Sequence, residues 1–116
     1  MQLDERITAN VTIVTVTGDI RLGSGGAVML KDKVNSLLHQ GQRKIVLDLG
    51  GVSYVDSAGL GELVQTYVTT KNRGGSLKLM NVTKRLKNLL VVTKLLTVFD
   101  TYDNEAAAIA SFAEAA

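Results

Sequence analysis

The chain has no cysteine and a single histidine among its 116 residues. Without cysteine there is no disulfide, no thiolate nucleophile and no sulfur ligand for a metal. The histidine, His39, stands at the tail of a helical pattern close to Gly41. A metal site built on it would need carboxylates for every other ligand, and no acidic cluster lies near it in sequence. A solvated helix-end histidine, favoured by the negative end of the helix, is the simpler meaning. No metal and no cofactor is therefore expected. Also absent is any apolar run approaching the roughly 18 to 20 residues of a membrane span. The opening residues Met1-Gln2-Leu3-Asp4-Glu5-Arg6 lack the apolar stretch of a signal peptide, so a soluble, cytoplasmic chain with no membrane insertion is expected.

The 13 basic and 11 acidic residues nearly balance. The formal net charge is +2, too small to imply nucleic acid. Lys84, Arg85, Lys87 and Lys94 form a local basic group, but no aromatic residue interleaves them for base stacking. They read as a solvated helix face, and no nucleic-acid partner is expected. Asn10-Val11-Thr12 and Asn81-Val82-Thr83 match the glycosylation pattern, which in a cytoplasmic chain is chance.

Hydrophobic residues make up 46% and charged residues 21%, a globular composition, and the length suits one domain spanning 1–116 with a single core. Leu3 to Thr8 and Val11 to Ile20 are strand-like and meet at Ala9-Asn10, where Asn tolerates the positive φ of a tight hairpin. Gly18-Asp19 closes the second strand, and the small-residue loop Leu22-Gly23-Ser24-Gly25-Gly26 follows. Its glycines suggest a phosphate cradle, but it has no Gly-Lys-Ser/Thr ending and does not fit a dinucleotide turn, so it reads as a flexible lead into a helix. Ala27, Leu30, Val34, Leu37 and Leu38 trace one face of that helix, stopped by Gly41 as a left-handed cap.

Arg43 to Leu49 is a short, nearly continuous apolar strand of the kind buried on both faces of a parallel sheet. A helix begins at Asp56-Ser57, runs to about Lys71 and stops at Asn72-Arg73-Gly74-Gly75. Ser76 to Met80 alternates as a strand, and Thr83 can cap a third helix with Leu86, Leu89 and Leu90 inward. Val98-Phe99 with Thr101-Tyr102 reads as a last short strand, and Asp103 or Asn104 caps an alanine-rich helix that docks through Ile109 and Phe112. Strands alternating with helices imply right-handed crossovers. The expected fold is α/β, a mixed, mostly parallel sheet of about five strands packed with about four α-helices.

In such sheets, sites gather beyond the carboxyl ends of the strands, where Asp56 and Ser57 fall. Either side chain can accept a hydrogen bond from the free amides of the first helical turn. A serine hydroxyl there sits at the positive end of the helix dipole. Phosphorylation would add a charge of about −1.5 to −2 facing unpaired backbone N–H groups. The same residues also suit a plain strand-to-helix turn with a double cap. Ala58, Gly59 and Gly61 leave the turn nearly bare, which either admits a partner's backbone or lets the helix pack on its own sheet.

Ile45-Val46-Leu47-Asp48-Leu49 followed by Val52-Ser53-Tyr54-Val55-Asp56-Ser57-Ala58-Gly59-Leu60 resembles the signature of the STAS domain, in particular that of bacterial anti-sigma factor antagonists. Gly74-Gly75-Ser76-Leu77-Lys78-Leu79 is similar to the family's Gly-Gly strand entry, and Val82 to Phe99, Tyr102 and Glu105-Ala106 follow its C-terminal pattern. The resemblance extends from about Leu3 to Phe112 and implies a STAS-like domain that works as a phospho-switch. It implies that Ser57 is phosphorylated by an anti-sigma factor that is also a serine kinase. The unphosphorylated form binds that partner and frees a sigma factor, and a serine phosphatase resets the switch. The partner-binding residues so implied are Asp19, Leu22, Ser24, Asp56, Ser57, Ala58, Gly59, Leu60 and Gly61. Two departures stand out. Many members have a second hydroxyl residue where this chain has Ala58, so Ser57 is the motif's only acceptor; and the Leu22–Gly26 loop is richer in glycine than the family's Asp-containing segment.

Two rivals are distinguishable from this reading. A STAS subunit of a transporter or stress-sensing assembly would not need Ser57 to be phosphorylated. A serine hydrolase would need a base for Ser57, and His39 lies at the far end of the preceding helix, roughly 20 Å away by helix length. Asp19 and Asp48 do not form the paired acids of a phosphoaspartate receiver. No enzyme activity is expected, and the chain is expected to be a monomer or weak homodimer.

Overall fold

The computed structural model describes residues 2–21 and 26–113. Strands β1 (Gln2–Thr8) and β2 (Val11–Ile20) form an antiparallel hairpin across Ala9 and Asn10. These turn residues have φ of 52° and 69°, the left-handed pair whose twist matches that of the flanking strands. Next come α1 (Gly26–His39), β3 (Lys44–Val55), α2 (Ser57–Asn72), β4 (Ser76–Met80), α3 (Lys84–Val92), β5 (Thr101–Tyr102) and α4 (Glu105–Ala113). The sheet keeps the order of the sequence, β1-β2-β3-β4-β5, parallel after the first pair. This is the α/β architecture expected from the sequence pattern.

Strand alternation distributes the apolar side chains over two layers. Val14, Val16, Ile45, Leu47, Leu77 and Leu79 meet Leu30, Val34 and Leu37 of α1, Leu60 and Leu63 of α2, and Leu86 and Leu90 of α3. On the opposite face, Val11, Ile13, Val46 and Met80 are covered by Ala108 and Phe112 of α4. The helix ends are set locally. Gly41 and Gly74 take φ of +85° and +80° just beyond α1 and α2. Thr83 accepts the Leu86 amide at 3.3 Å, and Asn104 accepts the Ala107 amide at 2.8 Å. Lys84, Arg85, Lys87 and Lys94 are all exposed, as expected of a solvated face.

Two elements differ from the sequence pattern. The strand expected over Arg43–Leu49 continues to Val55, because the distal half of β2 supplies it with a partner. Thr17 pairs with Gly51, Gly18 with Val52, Asp19 with Tyr54 and Ile20 with Val55, with register shifts at Thr15/Thr17 and Gly18/Asp19. At both shifts β3 advances one residue more than β2, so it carries the extra residues of two bulges. Asp48 braces the first of these, its Oδ1 accepting the Gly50 amide and the Asn81 side-chain amide, both at 3.1 Å. The second difference is at the far edge, where Val98 and Phe99 fall outside the two-residue β5. Phe99 instead turns into the core and meets Tyr67 edge-on, with ring centroids 5.2 Å apart. Leu22 and Ser24, with the rest of the Leu22–Gly25 loop, lie outside the described residues, as does the side chain of Ala27.

Candidate functional site

The parallel ends of β2 and β3 bring Asp19, Ile20, Tyr54 and Val55 side by side immediately before α2. Asp56 makes the turn. Its backbone is extended, with φ −86° and ψ 173°, and its Oδ1 accepts the Gly59 amide at 2.5 Å. Its carbonyl accepts the Leu60 amide at 2.8 Å, and its own amide donates to the Ile20 carbonyl at 3.4 Å. Asp56 is thus the N-cap, and Ser57 becomes the first helical residue. The hydroxyl of Ser57 is not used as a cap, and the residue is exposed.

The expected bare turn is divided between surface and interior. A Cβ on Gly59 would stand 2.1 Å from the Ile20 carbonyl oxygen, so this glycine packs against the chain's own β2. Leu60 is 4% exposed and belongs to the main core. Gly59 and Leu60, both expected on the partner-facing surface, are therefore buried, because the face of α2 that carries Leu63 must turn toward the sheet. Ser57, Ala58 and Gly61 are exposed, and a Cβ at Gly61 would meet nothing within 4 Å.

Asp19 is half-buried at the same end of the sheet. Its Oδ2 receives Arg21 Nε at 3.2 Å, and the Arg21 guanidinium lies 4.3 Å from the centroid of the Tyr54 ring. Asp19 and Asp56 are therefore both engaged within the chain, one in an ion pair and one in a cap.

An open groove of about 390 Å³ runs beside Ser57, between the end of β3 and α3. Tyr54, Ser57, Arg85, Asn88, Leu89 and Val92 line it. Tyr54 and Val92 are 38% and 79% exposed, so the groove is apolar along much of its length. Arg85 lines it, and its Nη1 donates to the Ser53 carbonyl at 3.5 Å. Sequence reasoning placed Arg85 on a solvated face and did not single out Tyr54, Asn88 or Val92. The signal was the spacing of residues 85, 88, 89 and 92, which is the second stripe of a helix whose first stripe is Leu86 and Leu90. Elsewhere, His39 is exposed at the end of α1, and among the described residues no cluster of acidic and histidine side chains could hold a metal ion.

The chain matches the family model of the STAS domain over residues 2–108. It is 37% identical over 100 residues to the anti-sigma-B factor antagonist of Bacillus subtilis, covering 86% of this chain and 89% of that protein. In structure it is similar to an anti-sigma factor antagonist from Mycobacterium paratuberculosis, with a TM-score of 0.80, 21% identity and coverage of 95% and 92%. It is also similar to the Bacillus cell fate determinant SpoIIAA in its phosphorylated form, with a TM-score of 0.67, 16% identity and coverage of 91% and 96%. The two structural likenesses bear on the fold alone. With the family model matched over nearly the whole chain and the Asp56-Ser57 turn at the head of α2, the chain belongs to the STAS domain family.

Proposed function

We propose that this chain is an anti-sigma factor antagonist, a switched interaction module with no catalysis of its own. Unphosphorylated at Ser57, it binds an anti-sigma factor that is also a serine kinase, and so frees a sigma factor. Phosphorylated, it releases that partner, and a serine phosphatase returns it to the binding form. The relationship to the Bacillus subtilis antagonist supports the partner class. The observation that carries the switch is the exposed Ser57 hydroxyl, left free by Asp56 at the head of α2 and bordered by an open groove.

The physical argument is one of charge at a packed surface. A helix start tolerates a dianion, but a partner pressed against Ser57, Ala58 and Gly61 must desolvate that dianion beside the Asp56 carboxylate. A penalty of about 3 kcal/mol weakens binding more than a hundredfold. Asp19 extends the proposed contact surface from β2, and the family resemblance adds Leu22 and Ser24 to the partner-binding residues. Buried Gly59 and Leu60 support that surface from beneath.

The experiment is intact-mass measurement and site mapping of the protein from its native host, grown with and without stress. One phosphate on Ser57 whose occupancy changes with growth state supports the switch. No phosphate under any condition would count against it and favour a constitutive scaffold or transporter subunit.

A further inference from the structure

One cation of α3, Arg85, is unused in the function proposed above, yet it lines the same groove as Ser57. Arg85, Asn88 and Val92 recur at intervals of three and four residues, which sets them on one stripe of the helix. All three line the groove that Ser57 also lines.

The groups at this end of the sheet differ in how far they are committed. Arg21 is held by Asp19 and stacked on Tyr54. The acid in the groove, Asp56, directs Oδ1 into the α2 cap. Arg85 is exposed, and its contact with the Ser53 carbonyl is long at 3.5 Å. None of the ion pairs among the described residues includes it. A guanidinium this loosely tied, with a side-chain amide one turn further along, offers the planar donor set that an oxyanion takes up.

We propose that the phosphate of phosphorylated Ser57 is bound within the same chain, by the Arg85 guanidinium with the Asn88 amide as second donor. The inference rests on the reading of Ser57 as the phosphorylated residue. In this arrangement the phosphate draws Arg85 off the Ser53 carbonyl and occupies the groove between Tyr54 and Val92. Phosphorylation then withdraws from a partner an apolar groove and a cation, in addition to presenting a dianion. The switch works by occlusion as well as by repulsion.

The test uses the full chain with phosphoserine installed at position 57 during translation, so that no kinase is required. Phosphorus NMR follows the phosphate across pH. If Arg85 holds the phosphate, its second ionisation lies lower in the otherwise wild-type chain than in Arg85→Gln by about half a unit or more. Lys84→Gln removes the same charge from the exposed neighbouring position outside the groove, and moves the ionisation much less. The Arg85 side-chain Nε–Hε signal shifts on phosphorylation, a readout that needs no variant at Arg85. Equal titration in Arg85→Gln and Lys84→Gln, or an Arg85 signal indifferent to the phosphate, would overturn the clasp and leave the antagonist reading standing. Ser57 unphosphorylated in cells would instead remove that reading while the clasp remains measurable in the installed phosphoprotein.

Discussion

The carbonyl of Ile20, the last residue of β2, accepts the amide of Asp56 and lies so near Gly59 that a Cβ there would come within 2.1 Å of its oxygen. One backbone group of β2 therefore fixes both the cap and the first turn of the helix that presents Ser57. Ser57 is thus positioned by the sheet itself, and it is exposed together with the nearby Ala58 and Gly61.

Two glycines of one helix should then respond oppositely to alanine. Gly59→Ala must force backbone apart, and destabilises the fold by about 1–3 kcal/mol or more. Gly61→Ala, with open space around it and no left-handed backbone to relieve, stabilises by up to about 1 kcal/mol through helix propensity. Chemical denaturation of the two variants measures both signs.

Asp56→Ala removes the acceptor of the Gly59 amide and costs about 1 kcal/mol. Asp56→Asn retains an acceptor oxygen and costs less, so the ordering of the two melting temperatures below wild type separates capping from charge.

Asp48 ties the first β3 bulge to Asn81 at the end of β4. Asp48→Ala leaves both amides to water and costs about 1–2 kcal/mol. Faster hydrogen exchange at Gly50, with the amides of Leu47 and Leu79 still protected, is the expected local signature.

Features governed by neighbours in sequence were legible before the structure. The Ala9-Asn10 turn, the cap at Thr83, the pairs Asp56/Ser57 and Asp103/Asn104 from which the structure takes Asp56 and Asn104 as caps, and the stops at Gly41 and Gly74 each depend on residues within one turn. The extension of β3 to Val55 was not legible, because Gly50-Gly51 reads locally as a break and only pairing with Thr17 to Ile20 overrides it. Phe99 was misplaced for a related reason, since strand propensity cannot report that a ring finds Tyr67 in the core. At the site, the Asp56-Ser57 helix start was legible, and the structure chose Asp56 as its cap. The groove was not, because it brings residues 54 to 57, where β3 meets α2, against residues 85 to 92 of α3, and no local pattern states that approach.

Position 57 itself carries the account. Ser57→Ala keeps the groove and the first turn intact and should bind the kinase partner without responding to ATP. Ser57→Asp, with one negative charge where phosphate has nearly two, should weaken binding by a smaller factor than phosphorylation does. Competition binding against the unphosphorylated chain ranks the three forms.

The most direct test is the affinity of the purified anti-sigma factor kinase for this chain with Ser57 free and with Ser57 phosphorylated, measured by calorimetry at one ionic strength. The account predicts tight binding of the free form and at least about a hundredfold loss on phosphorylation, equivalent to about 3 kcal/mol. Equal affinity of the two forms would contradict it.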